Sequence, residues 1–125
     1  MFEITIPPSI QGIAAYQFMN YVNLRRITLG DVRATWEWCL AGCENLKEVV
    51  LPPKCTRIGW AAFSGSATEK LTILTRNEDI LVSFGTTSPC LEGSNITTIE
   101  CFQNIATAIQ NFPNVPTTNN FKIIT

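Results

Sequence analysis

The sequence predicts an α/β repeat protein, a solenoid of parallel strands with a period of about 22 residues that ends in a helix and a strand. Three observations carry this expectation. The stretches "ITIPPSI" from Ile4 and "VVLPPKC" from Val49 each read as a short apolar strand and a double proline, and they lie 45 residues apart. Between and after them come "ITLGDV" from Ile27 and "LTIL" from Leu71, so strand-like starts recur at steps of 23, 22 and 22 residues. Apolar positions within the units also fall into columns, while the residues between them vary. A unit this small cannot bury its own apolar face, so stacked units must bury it together.

The first unit, residues 4–26, sets the columns with Ile4, Ile6, Ile10, Ile13, Phe18, Tyr21 and Leu24. Pro7 ends its strand, because proline lacks the ladder donor. The second unit, 27–48, repeats the pattern as Ile27, Val32, Thr35, Leu40, Cys43 and Leu46. Gly30 replaces the first proline there and one residue is lost, which disguises the repeat. The third, 49–70, supplies Val49, Leu51, Pro52, Cys55, Ile58, Phe63 and Ser66. The fourth, 71–95, is weaker, with Phe84 continuing the Phe18 column and Leu91 a shifted member of the Leu24 column. The strands should pair in parallel about 4.8 Å apart. The pieces "CLAGC" and "AAF" read as one-turn helical or 3₁₀ segments on the opposite side.

After Leu91 the rhythm changes. Ile99, Phe102, Ile105, Ala106, Ile109 and Phe112 follow helical spacing. Thr97 and Glu100 fit a capping box, and Pro113 would close the helix. The expectation is a helix over 98–111, against a competing β-branched strand at "ITTI". "FKIIT" then reads as a strand joining the same sheet, so 96–125 forms a helix–strand unit. The chain opens inside a unit and stops on a strand, whereas solenoid ends carry polar caps. A piece of a longer protein is the preferred expectation, and end-to-end self-association through open strand edges is the other.

Strand alternation turns Ile4 and Ile6 inward, and Glu3 and Thr5 outward. The column ahead of each strand start reads Glu3, Arg26, Glu48, Lys70, alternating in sign. This predicts Glu3–Arg26, Arg26–Glu48 and Glu48–Lys70 as lateral neighbours on an exposed sheet face, each contributing about 0.2–1 kcal/mol. The competing reading is four unrelated surface charges. The next outer column, Thr5, Thr28, Val50 and Thr72, is a candidate interaction surface. Trp36, Trp38 and Trp60 are the sharper candidates, because aromatic residues are enriched at binding hot spots. Packing between coils is the competing reading for all three.

Composition excludes several functions. A chain of 125 residues with 46% hydrophobic residues and 15% charged ones has room for one cored domain. Net charge is −1 with no basic block, which argues against nucleic acid or anionic lipid as a partner. The longest apolar runs are too short to span a bilayer, and "MFEITIPP" lacks the pattern of a signal peptide. With no histidine, the serines and threonines lack their usual activating base. The five cysteines are an odd number, so they cannot all pair within one chain. Cys43 and Cys55 fall in core columns, so they read as buried structural thiols. Cys39 joins them in that reading, against a metal site that would need about four converging ligands. Cys90 and Cys101 lie in the irregular region, where a disulfide between them is the alternative. Glu78 and Asp79 in "RNEDI" match no calcium loop, and adjacent residues on an extended segment point apart, so a solvated turn is expected. Asn95-Ile96-Thr97 is a glycosylation sequon. No catalytic residue, cofactor or metal is expected.

The stretches "ITIPPSIQGIAAYQF", "CLAGCENLKEVVLP" and "VVLPPKCTRIGWAAFSG" resemble leucine-rich repeats of the BspA type. The residues that match that family's unit are Ile4, Ile6, Pro7, Ile10, Ile13 and Phe18, then Val49, Leu51, Pro52, Cys55, Ile58-Gly59 and Ala62-Phe63, with Cys43 and Leu46 supplying its Cys and Leu. The resemblance covers residues 4 to about 75 well and 76–91 weakly. It implies a leucine-rich-repeat solenoid and bacterial cell-surface or host-facing proteins. The expected function is a non-enzymatic interaction or adhesion module that engages a protein or glycan on another surface. The alternatives are a phage or mobile-element surface module and a carbohydrate-binding accessory domain.

Overall fold

The computed structural model describes residues 2–85, 87–112, 115–116 and 120–125. The chain winds as a stack of coils. The first three coils each carry one longer strand and one two-residue strand: β1 (Phe2–Thr5) and β2 (Gly12–Ile13), β3 (Leu24–Thr28) and β4 (Ala34–Thr35), β5 (Glu48–Leu51) and β6 (Arg57–Ile58). The fourth has β7 (Lys70–Ile73) and a 3₁₀ helix, Glu78–Phe84, in place of a second short strand. Then follow β8 (Thr98–Phe102), α1 (Gln103–Ile109) and β9 (Phe121–Ile124). All strand pairs are parallel, with Ile4 beside Ile27, Val49 beside Leu71 and Ile13 beside Thr35 beside Ile58. No helix among the described residues is long and apolar enough to cross a membrane.

Burial follows strand alternation. In β5, Val49 and Leu51 face the core, whereas Glu48 and Val50 face solvent. The columns Phe18, Leu40, Phe63 and Leu24, Leu46 run through the core. Ile10 and Tyr21, expected in core columns, are 43% and 42% exposed. They sit on the first coil, which has a neighbouring coil on one side only among the described residues. Thr72, expected on the outer face, is 7% exposed because the strands beyond it cover it, and its hydroxyl lies 3.5 Å from Glu100 Oε1.

The turns opposite the long strands are single turns closed by i→i+3 hydrogen bonds, the 3₁₀ pattern, where one-turn helical or 3₁₀ segments were expected. Ala41 N donates to Trp38 O, and Ser64 N to Ala61 O. Two columns of left-handed backbone bracket them: Tyr16, Trp38 and Ala61, then Asn20, Gly42, Gly65 and Gly93. These residues stop any helix after one turn. Coil-to-coil bonds such as Phe18 N to Cys39 O (2.9 Å) and Leu40 N to Ala62 O (3.0 Å) tie the turns into a ladder.

Three sequence expectations fail here. The long strands do not form one continuous sheet: β1–β3 is one sheet and β5–β7–β8–β9 another. Arg26 and Glu48 are therefore not ladder neighbours. Pro52 removes one of the bonds that would join β3 and β5, at the end of the strand. One coil further on, Leu74 N donates to Leu51 O at 3.2 Å. The equivalent bond between β5 and β3 would run from Pro52 to Leu29 O, and proline has no N–H to give. A cleft of about 570 Å³ opens there, lined by Thr28, Leu29, Val50 and Pro52 among others.

The helix expected over 98–111 is also corrected. Residues Thr98–Phe102 are strand β8, with Ile99 and Cys101 buried in alternation, and only Gln103–Ile109 is helical. Glu100 faces outward on the sheet, and α1 has no side-chain cap, so the capping box does not form. A five-residue stretch with apolar residues at Ile99, Cys101 and Phe102 satisfies both periods locally, and pairing with β7 decides for strand. Pro113 lies outside the described residues. Third, the rhythm does not end at Leu91. The step from Leu71 to Ile99 is 28 residues, and the step from Ile99 to Phe121 returns to 22. Ala61 N to Pro89 O and Gly65 N to Gly93 O share the 28-residue offset, which places Leu91 after Phe63 in the turn column. Phe84 belongs instead to the 3₁₀ helix within the longer unit.

Candidate functional site

The longer fourth unit builds a broad cleft. It holds about 1070 Å³ and lies on the face of the two-residue strands. Its low points are Ala14, Ala15 and Gly59, and its high points are Trp36, Trp60, Leu81, Val82 and Phe112. The local sequence explains the relief. The residue after each short strand is Ala14, Trp36 or Gly59 in successive coils, so a large indole stands between two small residues. Gly59 lets the third coil approach closely, because a Cβ there would sit on the backbone of Trp36 and Glu37. The 3₁₀ helix Glu78–Phe84 then forms the far wall.

Both cleft tryptophans are held in place while exposed. Trp36 is 43% exposed, with the Arg57 guanidinium 5.3 Å from its ring centre. Trp60 is 37% exposed, and its Nε1 donates to Glu92 Oε2 at 2.7 Å. Trp38 is half-buried and meets Trp60 edge-on at 5.7 Å, so it buttresses the site from outside the cleft lining. Val82, 74% exposed, is an apolar side chain offered almost entirely to solvent. Ser83 Oγ accepts from Ile58 N at 2.8 Å and so stands in for the next ladder strand.

The remaining candidates lie elsewhere. Thr5, Thr28 and Val50 are exposed on the long-strand face, away from the tryptophans, and Thr72 is buried beside them. On that face Glu3 partners Arg26, with carboxylate and guanidinium 3.3 Å apart. Glu48 partners Lys70, but the Lys70 ammonium lies 3.8 Å from Glu100 on β8. Glu78 and Asp79 open the 3₁₀ helix, where Asn77 Oδ1 accepts from Asp79 N at 2.9 Å. Asn95 donates its side-chain N–H to Ser66 O at 2.7 Å, and Asn45 bonds Val22 O in the same way two coil boundaries earlier in the stack.

All five cysteines are buried and free. Burial raises every thiol: Cys43, Cys55 and Cys101 to about 11, Cys39 to about 12, and Cys90 in the same direction. They are weak nucleophiles at neutral pH. Among the described residues, no group of three or more His, Cys, Asp or Glu side chains is placed to hold a metal ion.

Of the residues around this cleft, the sequence singles out Trp36 and Trp60 as candidates but not Arg57, Leu81, Val82, Glu92 and Phe112. The extra length of the fourth unit was the available signal, because insertions in repeat proteins collect on one face.

A stack of parallel coils with a shaped lateral surface and an aromatic cleft defines the class: a repeat protein of the kind used for macromolecular recognition. The family model of the BspA type leucine rich repeat region (6 copies) matches residues 1–84, and the chain belongs to that family. It is a leucine-rich-repeat solenoid, a fold that serves protein interaction. The crystal structure of a leucine-rich repeat protein from Eubacterium ventriosum is similar, with a TM-score of 0.64 and 20% identity over 97% of this chain and 32% of that one. A leucine-rich repeat protein from Bacteroides ovatus aligns with a TM-score of 0.43 and 21% identity, over 78% of this chain and 30% of its own. The chain thus spans about a third of the length of either structure. No curated protein sequence matches it.

Proposed function

We propose that this chain is a non-enzymatic interaction module that engages a protein partner through the Trp36–Trp60 cleft. One observation carries the reading: the single unit that departs from the 22-residue rhythm spends its extra residues on a wall beside two exposed, immobilised indoles. Rigid exposed aromatics lose little entropy on binding and are the anchors on which interfaces concentrate their energy. The rest of the surface acts as scaffold, and activity comes from shape and display. A surface-adhesion role fits the bacterial leucine-rich repeat relatives, and a phage or mobile-element surface module is its alternative.

Selection of a displayed random-peptide library on the folded chain tests the reading. Recovered peptides should lose at least about tenfold in affinity on Trp36→Ala or Trp60→Ala, a loss typical of an interface anchor. Peptides indifferent to both variants would overturn it. The two exposed indole faces also favour a second reading, a carbohydrate-binding accessory domain. A glycan array that responds to the wild type and not to Trp36→Ala would establish that reading instead.

A further inference from the structure

We propose that the cleft recognises an extended acidic peptide, in which a carboxylate side chain neighbours an apolar one. The apolar group lies against Trp36, Trp60 and Val82, and the carboxylate accepts from Arg57. This rests on the reading of the cleft as a protein-binding site and specifies the chemistry of its occupant.

The argument starts from Arg57. Its guanidinium lies over the Trp36 ring and forms no ion pair among the described residues. A guanidinium stacked on an aromatic face keeps its in-plane N–H groups free, and their fork matches a carboxylate. The carboxylates nearby do not use it. Glu37 lines the cleft without reaching Arg57, and Glu92 is committed to Trp60 Nε1 at 2.7 Å. Arg57 is the cation in the lining, and with its ring-stacked guanidinium pre-positioned and unpaired it can seat the carboxylate of an apolar chain, while Glu37 stands apart from it on the same lining. One group a sugar hydroxyl would seek, the Trp60 N–H, is already engaged. The low floor at Ala14, Ala15 and Gly59 leaves room for a peptide backbone between the walls.

The test uses two short synthetic peptides that alternate leucine and phenylalanine with glutamate, or with glutamine at the same positions. Binding is read from tryptophan fluorescence and by calorimetry. The glutamate peptide should bind about two- to fivefold tighter at low salt, as expected for an exposed charge pair. The preference should vanish at high salt and in Arg57→Gln, and survive in part in Arg57→Lys. Circular dichroism of each variant checks that the fold is retained. Equal affinity for both peptides, unchanged in Arg57→Gln, would overturn this inference and leave the protein-binding reading standing. Failure of both peptides to bind, with library peptides that do bind proving non-acidic, would overturn it as well. If no peptide of any kind bound the cleft, the protein-binding reading itself would fall.

Discussion

Replacing Gly59 by alanine should be among the most damaging small changes available in this chain. The backbone at Gly59 is not left-handed, so the cost is spatial. An added Cβ would fall within contact distance of three backbone atoms, the Glu37 nitrogen and two atoms of Trp36. Those atoms cannot give way cheaply. Trp36 N is bonded to Ile13 O at 3.0 Å, and Gly59 N to Thr35 O at 2.6 Å, so both coils are locked in the ladder. Overpacking of this kind costs about 1–3 kcal/mol or more, and a clash with backbone belongs at the upper end. Gly12 provides the internal control: a Cβ there meets nothing closer than 3.7 Å, from Ala34 O and Trp36 Nε1. Gly12→Ala should be neutral or stabilising by about 0.4–1 kcal/mol, because the unfolded chain loses freedom. Urea unfolding with an unchanged m-value reads both changes. Gly59→Ala should lower the melting midpoint by roughly 10 °C for a domain of this size. A Gly59→Ala midpoint equal to wild type, with Gly12→Ala behaving as stated, would refute the close packing of the second and third coils.

Four further outcomes follow from the same structure. A double-mutant cycle on Glu3 and Arg26 should give a coupling of about 0.2–1 kcal/mol that disappears at high salt, since both side chains are well exposed. The thiols should react slowly with a disulfide reagent at neutral pH in the native chain and promptly after unfolding. An ordinary thiol titrates near 9.0, whereas Cys43 and Cys55 hold their protons to about 11, so the stability they contribute is complete below about pH 9 and falls between 9 and 11. Denaturant midpoints measured across that range should decline, and a flat profile would contradict the burial. Pro52→Ala restores the missing donor opposite Leu29 O, so its new amide should be protected in hydrogen exchange. Free exchange at that amide would show that something other than proline keeps β3 and β5 apart.

Much of the fold was legible because a repeat writes the same instruction several times. Ile4, Ile27, Val49 and Leu71 fix strand starts, and their spacing fixes parallel register, so Glu3 beside Arg26 and Glu48 beside Lys70 follow from counting. The candidate site was legible only in part. Trp36 and Trp60 announce themselves by size, but Arg57 and Val82 look like any other surface cation and aliphatic residue in the sequence. They matter because the longer fourth coil brings the 3₁₀ helix across to them.

By itself, then, the sequence determined the solenoid, its period, the parallel strands and the columns that form the core. Those depend on local periodicity and on which residues exclude water, and both are written along the chain. Tertiary structure decided the rest. It converted Thr98–Phe102 from one turn of an apolar stripe into a strand, because β7 offered a ladder to pair with. It split the long-strand face between β3 and β5, where Pro52 has no N–H to offer Leu29 O, because a missing donor matters only where a neighbour's carbonyl waits for it. It also turned a six-residue excess in the step from Leu71 to Ile99 into the wall of a cleft, because only the stack says which coil face an insertion must lie against.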